Sequence, residues 1–225
     1  MRLRKKVTAL VTAAGLMAGG ALMAVPAAGA DEAPPPELGT NSLASVLTAN
    51  GGGTFDSDPY DFDILTQAVL AVLQAKPDSP VKDLADGNKA LTAFIPNDRA
   101  FQVLVYDLTG KFYGGFFKVN EQKVFNAVAS LGIDTVEQVL LYHVVPGATI
   151  DSDTAANVPY GTPLTTAQGG TIRVNPVWPF AKWISLGDND PDDIDPFVVP
   201  SKFDINKGNK QIAHGIAFVL RPANL

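Results

Sequence analysis

Cysteine is absent from this 225-residue chain, which excludes a disulfide framework, a thiol nucleophile, a thiolate zinc site and a lipid-modified cysteine. Histidine is nearly absent as well. His143 and His214 are the only two, so any histidine-based catalysis or metal binding must use one of them. Basic residues are scarce and unevenly placed. Of the 17 Lys and Arg, four (Arg2, Arg4, Lys5 and Lys6) lie in the first thirty residues, which hold none of the 23 acidic ones. The rest of the chain is therefore strongly acidic and repels a phosphate backbone, so no nucleic-acid partner is expected. No G-x-S-x-G, Walker A, G-x-G-x-x-G or H-E-x-x-H pattern occurs, which leaves enzyme activity without positive support. Catalytic, metal and cofactor assignments are accordingly none.

What is present is a globular composition, with 46% hydrophobic and 18% charged residues. The basic start Arg2 to Lys6 precedes an apolar run from Val7 to Val25, then Pro26 and Ala27-Ala28-Gly29-Ala30 before Asp31. That order is the n-region, h-region and A-x-A site of an export signal, and cleavage after Ala30 is expected; an uncleaved anchor is the alternative. Residues 31–39, with Pro34-Pro35-Pro36, form an extended linker. Residues 40–225 suit one domain, able to bury enough surface to be stable without disulfides.

Periodicity gives helices first and strands later. Leu65, Ala68, Val69, Val72 and Leu73 predict a helix over 63–75, with Asp61 or Asp63 to cap it. Val124, Phe125, Val128 and Leu131 predict a second helix after Asn120, with Gly132 as its left-handed stop. A third starts at Thr135 and carries Val136, Val139, Leu140 and His143 on one stripe. Strands follow: Leu164 to Ala167, Thr171 to Asn175, Trp183 to Leu186 and Ile212 to Leu220. Segregated helices and strands predict an α+β fold.

Three segments resemble a known family. Leu91 to Phe101 runs as a strand through Phe94-Ile95-Pro96 into a turn that Asn97 or Asp98 can cap, followed by Phe101. The second segment, Leu140 to Gly147, contains Tyr142-His143. The third, Ile212 to Pro222, places His214 before a strand ending in Val219-Leu220-Arg221-Pro222. In this order they resemble the characteristic blocks of fasciclin (FAS1) domains over about residues 40 to 222. The resemblance implies a wedge of β-strands with helices packed at one side, and insertions at 106–119 and 176–196. It also implies a secreted, extracellular or cell-wall-associated adhesion module without catalysis. The expected partner is a cell-surface or extracellular-matrix protein or polysaccharide, with membrane contact only through the signal segment if it is uncleaved. Asp204-Ile205 resembles a pair linked to integrin contact in animal members. An alternative that the resemblance implies is carriage of an apolar, carotenoid-like molecule by the aromatic insert Phe112 to Phe117, with Trp178 and Trp183 as further aromatics.

The residues that carry the resemblance read mainly as structural: Phe94, Pro96, Asn97, Phe101, Tyr142, His143, His214, Leu220 and Pro222. Both histidines sit among apolar neighbours, where a hydrogen-bonded core role is the simpler reading. The candidate contact surface comprises Phe112, Tyr113, Phe116 and Phe117, together with Asp204 and Ile205. A hairpin turning at Gly114-Gly115 would send Phe112 and Tyr113, and likewise Phe116 and Phe117, to opposite faces. An insert that only extends the core is the competing reading. Asp188 to Asp195 fails the EF-hand pattern, with Asp193 in place of the required glycine and Val199 in place of the closing glutamate. It is a solvated turn or a weak calcium site. Asp56, Asp58, Asp61 and Asp63 read as loop solubility and helix capping.

Overall fold

A computed structural model describes residues 37–49 and 52–224. The expected export signal and most of the expected linker lie outside the described residues. From Glu37 onward the chain is one compact unit. Gly39, placed in the linker by sequence, already pairs with Asn209: its N–H donates to the Gly208 carbonyl at 2.8 Å and its carbonyl accepts from Lys210 N–H at 2.9 Å.

The elements run α1 (Leu43–Ala49), α2 (Asp63–Ala75), a 3-10 turn (Pro80–Ala85), β1 (Leu91–Pro96) and α3 (Asp98–Thr109). A short hairpin follows, β2 (Gly114–Gly115) and β3 (Lys118–Val119), then α4 (Glu121–Ala129), α5 (Ile133–Tyr142) and β4 (Val144–Pro146). The chain continues through α6 (Ser152–Asn157), β5 (Thr162–Thr165), β6 (Thr171–Trp178), β7 (Trp183–Gly187) and β8 (Gln211–Ile216). This is an α+β fold.

The central sheet has the order β4-β1-β8. β1 runs antiparallel to β4, with Leu91 opposite Pro146, and parallel to β8, with Phe94 opposite His214. β1 is buried at every position because both faces of this sheet are covered. Leu91, Ala93 and Ile95 join the core formed with the helices, while Phe94 joins a second core with Tyr142, Ile172, Val174, Ile184, Leu186 and Ile216. The period-2 geometry of a strand divides its side chains between the two cores. β5, β6 and β7 form an antiparallel meander that supplies the other wall of the second core.

Local signals explain most element boundaries. Asn97 accepts from Ala100 N–H at 2.9 Å and so caps α3, while Gly110, at φ 69°, closes it. Asn120 caps α4 through Lys123 N–H at 3.2 Å. Three expectations need correction. Neither Asp61 nor Asp63 caps α2; its Ile64 N–H donates to Oδ1 of Asp98 at 3.0 Å, a cap supplied from α3. Gly132, at φ 91°, precedes α5 rather than stopping α4, which ends at Ala129. β8 stops at Ile216, four residues short of Leu220. Beyond it the backbone turns so that Leu220 N–H reaches the His143 ring.

Candidate functional site

Several of the residues that carried the resemblance tie α5, the central sheet and the meander together. The ring of His143 donates from Nδ1 to the Val139 carbonyl at 2.7 Å and accepts Leu220 N–H at Nε2, at 3.0 Å. Both nitrogens are committed in a neutral ring, and burial pushes its pKa down to about 4. His214 is satisfied in the same manner, with Nε2 at 2.8 Å from the Ile150 carbonyl and Nδ1 accepting Asp204 N–H at 3.3 Å. Burial lowers its pKa as well. Tyr142 is fully buried and donates to the Thr171 carbonyl at 2.8 Å, tying α5 to β6. Phe94, Pro96, Phe101 and Leu220 are buried, and Pro222 is half-buried. These groups hold helices, central sheet and meander together, and neither histidine is free to act as a base.

Asp204 and Ile205 are engaged within the fold. The Asp204 carboxylate accepts Ser152 N–H at 2.7 Å and Ser152 Oγ at 2.8 Å, and it pairs with Lys207 at 3.0 Å. Ile205 packs on the helical core and bridges to Ala213. The carboxylate that the resemblance offers to a partner is thus committed to the strand-β8 junction.

The aromatic insert has a different geometry from the one expected. Gly114 and Gly115 form strand β2, and the turn consists of Phe116 and Phe117. At a turn the strand alternation lapses, so Phe116 and Phe117 are both exposed, at 85% and 88%, while Phe112 is exposed at 38%. Tyr113 packs against the core. Gly114, at φ 115°, has its missing Cβ only 2.4 Å from the Lys118 carbonyl, so the close strand approach requires glycine. Arg99 pins the hairpin from α3, donating to the carbonyls of Gly115, at 3.1 Å, and Phe116. Its guanidinium also lies over the Phe112 ring at 5.8 Å. Gln102 adds a hydrogen bond to the Tyr113 carbonyl at 2.6 Å. A second aromatic group, whose Trp178 and Trp183 the sequence offered for carriage of an apolar molecule, lies at the β6–β7 end: Trp178, Phe180 and Trp183 are exposed, and Trp183 stacks on Phe197 at 5.5 Å.

Two acidic groups differ sharply. In the 188–195 loop, Arg221 is buried and contacts Asp107 at 2.8 Å, Asp190 at 3.2 Å and Asp193 at 3.0 Å, while its N–H donates to Asp188 at 2.7 Å. The charge that a calcium ion would neutralise there is already met by a guanidinium. Asp56, Asp61, Asp63, Asp98 and Glu121, by contrast, have no Lys or Arg in ion-pair contact among the described residues. Burial pushes Asp98 well above the carboxylate range, an effect reinforced by its contact with Asp61, and raises Asp61 itself. Burial also pushes Glu121 up to about 7 and Asp63 up to about 6. Sequence reasoning took Asp98 only as an alternative to Asn97 for capping and passed over Glu121. The signal available was that each follows an Asn cap, in Asn97-Asp98 and Asn120-Glu121.

The apolar cavity lined by Leu65, Val69, Ala93, Leu140 and His143 measures about 30 Å³, room for about two waters at roughly 10–15 Å³ each. It cannot hold a carotenoid-like molecule. A surface groove of about 340 Å³ beside Val46, Phe62 and Ile205 is not lined by the aromatic insert.

Comparison with protein families matches the Fasciclin domain over residues 65–182, just over half of the chain and short of the His214 block. Among solved structures, a FAS1 domain pair from the insect cell adhesion molecule fasciclin I superposes with a TM-score of 0.52 at 15% identity. The match covers 81% of this chain and 51% of that one. At this identity the likeness shows the fold, and the chain spans about half the length of that pair. No curated protein sequence matches. With the matched region running from α2 through β1 and β4 of the central sheet to just past β6, the chain belongs to the fasciclin-domain family.

Proposed function

We propose that this protein is an exported, non-catalytic interaction module of the fasciclin type, contacting a surface protein or polysaccharide through the Phe112–Phe117 hairpin tip. The observation that carries this reading is two adjacent phenylalanines exposed above 80%, on a turn held rigid by Arg99 and Gln102. Exposed rigid aromatics offer large apolar area at low ordering cost, a property of good contact residues. They also suit stacking on the apolar faces of sugar rings. The solved relative is a cell adhesion molecule, and the N-terminal segment has the order of an export signal, which together support a secreted or cell-wall location. The small internal cavity favours contact over carriage.

The test is a pull-down with purified protein on the producing cell's surface material. Phe116→Ser with Phe117→Ser should weaken binding by about thirtyfold or more, equivalent to roughly one interface hot spot, at an unchanged unfolding midpoint. Wild-type-like binding by that variant, or no surface binding by the wild type, overturns the proposal.

A further inference from the structure

We propose that Asp61, Asp98 and Glu121 form a binding site for a hard divalent cation of the calcium or magnesium class, with Asp56 and Asp63 beside it. The three carboxylates come from separate places in the chain. Asp61 lies in the loop before α2, Asp98 opens α3 and Glu121 opens α4. One oxygen from each lies within 4.8 Å of the others, and the same holds for Asp56, Asp61 and Asp63. Two oxygens bound to one calcium ion at about 2.4 Å are at most about 4.8 Å apart, so the spacing fits a shared ion.

Acidic residues at helix starts are ordinary, because the helix dipole favours them. What that does not explain is the free oxygens. Asp98 uses Oδ1 to accept Ile64 N–H, at 3.0 Å, and Glu121 uses Oε2 to accept Asp56 N–H, at 2.6 Å. Their other oxygens, Asp98 Oδ2 and Glu121 Oε1, are buried without a hydrogen-bond partner, as is Asp61 Oδ1. Asp98 is 0% exposed and Glu121 1%. A buried carboxylate oxygen without a partner is costly, and three of them in one cluster call for a shared positive charge. In the 188–195 loop Arg221 provides that charge; here no protein cation does so among the described residues. Each backbone N–H fixes its carboxylate, which preorganises the remaining oxygen. The half-buried Asp61 and exposed Asp56 give an ion a way in from solvent.

The donors are all oxygen, which selects calcium or magnesium over the softer transition metals. Both imidazoles are committed to hydrogen bonds elsewhere. The rival is a proton shared between Asp61 and Asp98, which would satisfy those two oxygens without a metal. This inference does not rest on the adhesion reading.

Chelator-treated full-length protein is titrated calorimetrically with calcium chloride, and separately with magnesium chloride, with unfolding midpoints measured alongside. The expected result is saturable binding of one ion per chain with a dissociation constant no weaker than about 1 mM, and a midpoint that rises with the ion. Asp61→Asn, at a partly exposed position, folds and loses about tenfold or more in affinity, as does Glu121→Gln. Asp192→Asn, in the other acidic loop, binds as wild type does. The proposal is overturned if neither ion gives saturable heat or a midpoint shift by about 10 mM, well past the weak extracellular range. Undiminished binding in Asp61→Asn and Glu121→Gln also overturns it. So does an Asp98→Asn variant stabilised in the absence of metal whose wild type ignores both ions, since that identifies the shared proton.

Discussion

Nε2 of His143 accepts the backbone N–H of Leu220 at 3.0 Å, joining residues 77 apart in the chain. Nδ1 of the same ring donates to Val139. One imidazole therefore connects the end of α5 to the segment beyond β8, and its role is architectural.

His143→Ala should destabilise the domain by about 1–3 kcal/mol, because Leu220 N–H and the ring's share of Val139 are left without partners in a buried place. Urea unfolding measures it. A variant of unchanged stability would show that water replaces the ring at no cost.

Acid should weaken the same junction. The folded ring titrates at about 4 and the unfolded one near 6.5, so between those values the unfolded state binds the proton preferentially. The contribution is complete above pH 6.5 and is lost as pH falls toward 4, on the order of 3 kcal/mol in total. His214 has the same sign. Asp188, pushed up to about 6 by burial, has the opposite one. The stability difference between wild type and His143→Gln isolates the imidazole and should shrink across this range. NMR titration of the ring gives its midpoint directly.

Arg221→Met should cost about 3 kcal/mol, since it leaves the buried Asp190 and the half-buried Asp193 without a cation. In a double-mutant cycle with Asp190→Asn the two changes should be clearly non-additive. Additivity would mean that the guanidinium serves the loop mainly by packing.

Phe116→Ser with Phe117→Ser should change stability by less than about 1 kcal/mol, because both side chains are solvent-facing. Phe101→Ala, in the helical core, should cost about 3–5 kcal/mol. Differential scanning calorimetry separates the two, and early unfolding of the Ser variant would return the insert to the core.

Gly87→Ala should be strongly unfavourable for a steric reason alone. A Cβ at Gly87 would sit 1.8 Å from the Thr40 carbonyl oxygen, and backbone on both sides cannot yield as a side chain can. We expect a loss of about 1–3 kcal/mol, read from the thermal midpoint.

The sequence by itself determined the pieces governed by near neighbours. Amphipathic spacing set α2, α4 and α5; Asn97 and Asn120 set two helix starts through hydrogen bonds three residues ahead; and Pro96 ended β1. The family blocks were legible because each combines such local signals in order. Tertiary structure alone decided what requires closing a long loop. Asp98 caps α2 across 34 residues, and Arg221 reaches back 31 residues to Asp190. Asp61, Asp98 and Glu121 converge only after three helices have packed. Phe116 and Phe117 face solvent together because the register of β2 with β3 puts the turn on them, one step beyond the glycines that marked it in sequence. Side-chain patterning encodes the face a residue presents, whereas the identity of the group opposite depends on packing between distant segments, which no local window contains.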